Sequence, residues 1–138
     1  MDARELRIEN YIQLYLKPDD SEMTKHKIIS IFYNNIENEY FVELEDGFKV
    51  NINKGIVPIP LTEEILLKCG FDKYTKSEGI FFKNSDFFEL HQFNENGDFS
   101  YKCGDNLEGN FVYIRIDYLH QLQNLHFALT GVELEIIL

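Results

Sequence analysis

The sequence has no tryptophan and only two cysteines and three prolines among 138 residues. Cys69 and Cys103 are far apart and form no C-x-x-C pair, so no disulfide framework or zinc pattern is encoded. Two free thiols in a reducing compartment are expected. No run approaches the ~18 apolar residues that a membrane-spanning helix needs. Residues 1–17 interleave charges with apolar residues and lack the apolar stretch of a signal peptide. A cytoplasmic protein without membrane contact is therefore expected. G-x-G-x-x-G, P-loop, H-E-x-x-H and G-x-S-x-G patterns are all missing. Phosphate cradling and familiar hydrolysis have no support, and neither a cofactor nor an enzymatic activity is expected.

Basic residues are also scarce, with 13 Lys and Arg against 24 Asp and Glu, a formal charge of −11. The deficit is concentrated late in the chain. Residues 84–138 hold two basic residues, Lys102 and Arg115, against nine acidic ones. Such a half repels an anionic membrane and bare nucleic acid and attracts a basic partner. Solubility alone also accounts for an acid surplus of this kind.

Phenylalanine and tyrosine are abundant, 12 and 8 residues, and hydrophobic residues make up 44% of the chain. Aromatic and β-branched residues suit a pleated, half-buried surface, so strands are expected to dominate. Leu6 and Ile8, then Ile12, Leu14 and Leu16, alternate as one strand or a pair bent near Asn10. Residues 29–33 continue the pattern. Residues 40–44 and 48–52 flank Asp46-Gly47, the strongest hairpin signal in the chain. Residues 1–56 thus read as an antiparallel meander, SH3-like or otherwise curled.

Pro58 and Pro60 interrupt pairing, and Thr62 then caps a short helix with Glu63 and Glu64 in its first turn and Gly70 after its end. A second meander follows over 79–83, 87–93 and 99–102, with Asn96-Gly97 in a turn, and 111–116 is a further strand. Asp117 is placed to cap the longest helix, 118–129, which stops at Gly131, and 132–138 can return as a strand. The fold class is α+β: one domain over 1–138, divided into 1–56 and 57–138. The breaks at 17–27 and 103–110 read as surface loops.

Four features carry candidate chemistry. His91 and Glu89 share a strand face, but no third metal ligand has matching spacing. Cys103 sits at a strand end, without an identifiable histidine partner. Lys68, Lys73, Lys76 and Lys83 lie near Tyr74, Phe81 and Phe82. Basic residues interleaved with aromatics can bind single-stranded nucleic acid, although ordinary solvated lysines look the same. On the long helix, Tyr118, Leu122, Leu125 and Leu129 form an apolar stripe. Opposite it, His120, Gln123, Asn124 and Phe127 recur at helical spacing, and residues 118–130 hold no charge. Either this helix is covered on both sides, with Gln and Asn capping loops, or those four residues form an uncharged binding face.

Two segments, PIPLTEEILLKCGF at 58–71 and YLHQLQNLHFALTG at 118–131 followed by Val132-Glu133-Leu134, occur with ELRIENY at 5–11. Together they resemble a family of small proteins of phages and prophages of Bacteroidota. The chain departs from that pattern at Glu9-Asn10, where the resemblance implies a glycine turn. A small acidic protein on such an element is similar to an anti-CRISPR protein. The resemblance implies a bacterial host cytoplasm and a non-enzymatic inhibitor of a type VI-B RNA-guided RNA nuclease or its guide-RNA complex. Glu95, Asp98, Asp105 and Glu108 would then steer association, while His120, Gln123, Asn124 and Phe127 hold the partner. The alternative is a nucleic-acid-binding accessory protein of phage replication or packaging, acting through the four lysines.

Overall fold

The computed structural model describes residues 2–14, 24–105 and 109–137. It is an α+β chain with two five-stranded antiparallel sheets, a short helix and a longer C-terminal helix. Contacts divide it into two compact units. One comprises Met1–Pro60 with Tyr118–Asn124, the other Leu61–Asp117 with Leu125–Leu138. No described helix is long and apolar enough to cross a membrane.

The first unit opens with a 3-10 turn, Ala3–Glu5, and then forms β1 (Tyr11–Leu14), β2 (Thr24–Asn34), β3 (Glu39–Leu44), β4 (Lys49–Asn51) and β5 (Ile56–Val57). The strand order is β4-β3-β2-β1-β5, a meander whose last strand returns beside the first. A register shift between Ile28 and Ser30 adds local twist to β2. Alternation buries Ile12, Leu14, Ile28, Val42 and Leu44, and Leu6 and Ile52 complete the core. The Asp46-Gly47 hairpin forms as expected: Gly47 takes φ 91°, and its N–H donates to the Leu44 carbonyl at 2.8 Å. Leu6 and Ile8 do not form the expected strand. The Ala3–Glu5 turn and a second turn before β1 take their place, and Leu16 lies outside the described residues. The two-residue β5 is too short to leave a periodic signal.

In the second unit Thr62 caps α1 (Glu63–Lys68), its hydroxyl accepting the Ile65 N–H at 3.2 Å, and Gly70 follows with φ 81°. The sheet consists of β6 (Asp72–Lys76), β7 (Gly79–Lys83), β8 (Glu89–Gln92), β9 (Phe99–Asp105) and β10 (Asn110–Ile116), in the order β10-β9-β8-β7-β6. One face buries Ile80, Phe82, Leu90, Phe99 and Ile116, with the Phe82 and Phe99 rings edge to face. β6 is absent from the sequence expectation because DKYTK shows no apolar alternation, a pattern that edge strands tolerate.

Helix α2 spans Leu119–Thr130, one residue later than expected. At its start the Gln121 side-chain oxygen accepts the Tyr118 N–H at 3.2 Å. Asp117 accepts the Arg115 side chain at 2.6 Å. Residues 132–137 make no strand, although the Ile137 N–H reaches the Lys68 carbonyl at 3.1 Å.

Candidate functional site

The expected binding face of α2 does not exist as a free surface. His120 and Gln123 are 1% exposed. Within the first unit, Gln123 accepts the Tyr11 N–H and donates to the Glu9 carbonyl, both at 2.9 Å. Asn124 donates to the Glu5 carbonyl and accepts from Asn10, again both at 2.9 Å, and also from Arg7 at 3.2 Å. Asn10 is wholly buried, and its side-chain oxygen receives the Arg7 N–H at 2.7 Å. These amides anchor the irregular segment ahead of β1, where Glu9 and Asn10 also pair with the sheet, the Glu9 N–H and the Asn10 carbonyl meeting Ile28 of β2 at 2.9 and 2.8 Å. The uncharged helix side is therefore a clamp, which corrects the assignment of His120, Gln123 and Asn124 to partner binding. Phe127 is 39% exposed and belongs to the second unit.

The clamp also explains Glu9. Its φ is 79°, a left-handed conformation that suits glycine, at the place where the resemblance implies a glycine turn. His120 has no hydrogen-bond partner for either ring nitrogen among the described residues. Burial pushes its pKa below the ordinary imidazole value of 6.5, against a weaker opposite pull from Glu5. His126, in the second unit, is fully buried but partnered, with Nε2 3.0 Å from the Asn84 amide and 3.3 Å from the Asp86 carboxylate.

Glu95, Asp98 and Asp105 are spread along β9 and the turn before it. Glu95 is exposed and Asp98 pairs with Arg115 at 3.4 Å, both in the turn ahead of β9. Asp105 ends β9, so its backbone is displaced by about 23 Å from Asp98 at the ~3.3 Å rise of a strand. Glu108 lies outside the described residues. The four lysines separate as well. Lys68 pairs with Glu64 at 3.2 Å and Lys73 with Glu63 at 3.0 Å, whereas Lys76 and Lys83 belong to the open face of the second sheet.

That face is the most developed site in the chain. Strand register aligns Tyr74, Phe81, His91, Ser100 and Arg115 in one row across all five strands. Phe81 and His91 stack with centroids 4.4 Å apart and planes 6° apart. Phe93 lies 4.1 Å from the His91 ring and 5.1 Å from Tyr113. The Lys76 ammonium sits 5.0 Å from the Phe81 centroid, and that of Lys102 sits 3.7 Å from Phe111. Gly79 makes the central stack possible: it has φ 137°, and a Cβ there would come within 2.7 Å of the His91 ring. Phe93 and Tyr113 are 52% and 42% exposed, a large aromatic display for a surface. A recess of about 390 Å³ opens among Lys76, Phe81, His91, Lys102 and Tyr113, with Glu78, Glu89 and Leu90 completing its wall.

Other candidates are weaker. The first unit has a larger recess, about 590 Å³, but its charged lining residues, Asp2 and Arg4, neutralise each other at 2.6 Å. Cys69 is buried and its thiol is pushed up to about 12, so it stays protonated, while Cys103 is exposed. Glu89 does share the face of His91, but it accepts the Tyr74 hydroxyl at 3.3 Å. No group of three or more His, Cys, Asp or Glu gathers among the described residues.

Sequence reading found Tyr74, Phe81, Lys76 and Lys83 but missed Phe93, Lys102, Phe111 and Tyr113. The available signal was parity: residues 81, 83, 89, 91 and 93 alternate with buried positions, whereas 111–115 are all exposed and carry no such signal. Only the register shows that these positions share one side. No family model, curated protein or solved structure matches the chain.

Proposed function

We propose that the chain is a non-enzymatic binding protein of a phage or mobile element whose working surface is the open face of the β6–β10 sheet. Its target is a host defence complex, specifically a type VI-B RNA-guided RNA nuclease carrying its guide RNA. The observation that carries this reading is the exposed aromatic row itself. Solvating Phe93, Phe111 and Tyr113 beside lysines that have no carboxylate partner among the described residues costs hydrophobic free energy, and a partner that covers them recovers it. The acid surplus supports a partner with basic surfaces, as an RNA-handling nuclease has, and favours rapid encounter with it. The resemblance to small phage and prophage proteins supports the setting.

In this reading the roles assigned to Glu95 and Asp98 are limited to steering, and the contact residues move from α2 to the sheet. The test is co-elution of the purified chain with the effector–guide complex, with target-RNA cleavage measured alongside. The reading predicts a stable complex and reduced cleavage. Normal cleavage at large molar excess, with no co-elution, contradicts it. The alternative, an accessory protein of phage replication or packaging, gains support if nucleic acid binds while the effector does not.

A further inference from the structure

The open face has a composition that points to one chemical class of ligand. We infer that it is a stacking platform for single-stranded nucleic acid, with Phe93 and Tyr113 receiving bases and Lys76, Lys83 and Lys102 receiving phosphates. This deepens the proposed function and rests on the reading of this face as the working surface, because the exposed strand in the target complex would be guide RNA.

Three observations converge. The first is ring presentation. Phe93 and Tyr113 are about half exposed and held edge to face, 5.1 Å apart at 68°, over a His91 ring that is itself 6% exposed. Their orientation is set from below by the Phe81–His91 stack, so little side-chain entropy is lost when a base lands on them. The second is charge. Lys76, Lys83 and Lys102 have no carboxylate partner within ion-pair distance among the described residues, and each ammonium stands over a ring instead. In a chain with 24 acidic residues, three ammonium groups balance Asp72, Glu78 and Glu89 and leave this face near neutral rather than acidic. The acids on this face are Asp72 and Glu89, the cross-strand neighbours of Lys83, and Glu78 in the β6–β7 turn; Glu89 is partly occupied by the Tyr74 hydroxyl.

The third observation is openness. An open sheet face with a recess of about 390 Å³ admits a splayed base and its sugar but not a duplex, whose bases are stacked out of reach. A protein partner would favour the same rings, but three ammonium groups beside aromatic faces match phosphate and base alternating along a strand. The net charge of −11 opposes approach at long range, so association is slow and the contact itself supplies the affinity.

The test is fluorescence anisotropy of labelled RNA and DNA oligonucleotides, each about ten nucleotides long, within the range of single-strand site sizes. Binding to single strands, several-fold tighter than to a duplex of the same sequence, is expected. Phe93→Ala and Tyr113→Ala, at exposed positions, should each weaken it about ten-fold or more. Lys102→Ala should lower the salt slope by about 0.7. Circular dichroism melts verify that these variants are folded. Absence of binding at low salt with about 10⁻⁴ M protein, where even non-specific complexes form, overturns the inference. So does equal binding of duplex, or retention of full affinity in the ring variants. If the effector complex co-elutes and loses affinity in the ring variants while oligonucleotides do not bind, the face is a protein-docking surface. The inhibitor reading then stands and the stacking platform falls.

Discussion

The two sheets have the same strand number and differ in their most developed polar features. In the first unit Asn10, Gln123 and Asn124 hold the segment ahead of β1 through six hydrogen bonds of 2.7–3.2 Å, four of them to backbone. In the second unit the open face keeps rings and ammonium groups turned outward, with Lys76, Lys83 and Lys102 over aromatic faces. Satisfied amides stabilise a fold, whereas cations beside exposed rings do little for folding. The contrast assigns scaffold work to the clamp on the first sheet and contact work to the face of the second.

The largest effect should come from breaking the clamp. Gln123→Leu strands the Tyr11 N–H and the Glu9 carbonyl, and each unsatisfied buried group costs about 1–3 kcal/mol. A loss of about 3 kcal/mol in urea-induced unfolding is expected, with oligonucleotide affinity of the folded fraction unchanged. A wild-type unfolding midpoint in this variant would remove the clamp from the account.

His120 sharpens the same side of the comparison through pH. Its folded-state pKa lies below 6.5, so the folded protein keeps the ring neutral while the unfolded chain takes up a proton near pH 6.5. The unfolded state binds more protons, so stability falls as pH drops through 6.5 and stops falling below the folded pKa. His120→Leu should flatten unfolding free energy between pH 7 and pH 5 relative to wild type. An unchanged pH slope would show that His120 finds a proton acceptor when charged.

Glu9 predicts a smaller effect of opposite sign. A left-handed non-glycine residue costs about 1–3 kcal/mol, partly offset by the flexibility that glycine adds to the unfolded chain. Glu9→Gly should therefore raise stability by about 1 kcal/mol, at the loss of an exposed 3.5 Å contact with Lys27 that contributes less than that. Destabilisation by this substitution would mean that the Glu9 backbone is not strained.

The smallest stability effects are expected on the open face. Phe93→Ala and Tyr113→Ala remove rings that are already about half solvated, and each should shift unfolding by no more than about 1 kcal/mol. Their effect should appear in binding. A large stability loss from either would make the aromatic row a structural feature.

The elements legible in the sequence were those with local signals. Asp46-Gly47 marked a hairpin and Thr62 a helix start, whereas the apolar stripe of α2 did not mark its buried side: Leu129 is 52% exposed while His120 and Gln123 are 1% exposed. What was not legible depended on distant partners. An uncharged row of His120, Gln123, Asn124 and Phe127 looks the same whether it meets solvent or the backbone near Glu9, more than 100 positions away in sequence. The acids at 95, 98, 105 and 108 are close in sequence, yet β9 separates Asp98 from Asp105 by its full length. The open face assembles from five strands, and β6, β9 and β10 place Tyr74, Lys102 and Tyr113 on it through register alone.

The most direct test is an inhibition assay with a variant that removes only the face. Target-RNA cleavage by a type VI-B effector with its guide would be titrated with the wild-type chain and with Lys76→Ala/Phe93→Ala/Tyr113→Ala, after a thermal melt shows the variant folded. The account predicts that the wild type suppresses cleavage and that the folded variant needs at least about 100-fold more protein, from two rings at about ten-fold each. Equal inhibition by both chains would contradict it and return the search to the surfaces around Glu95 and Phe127.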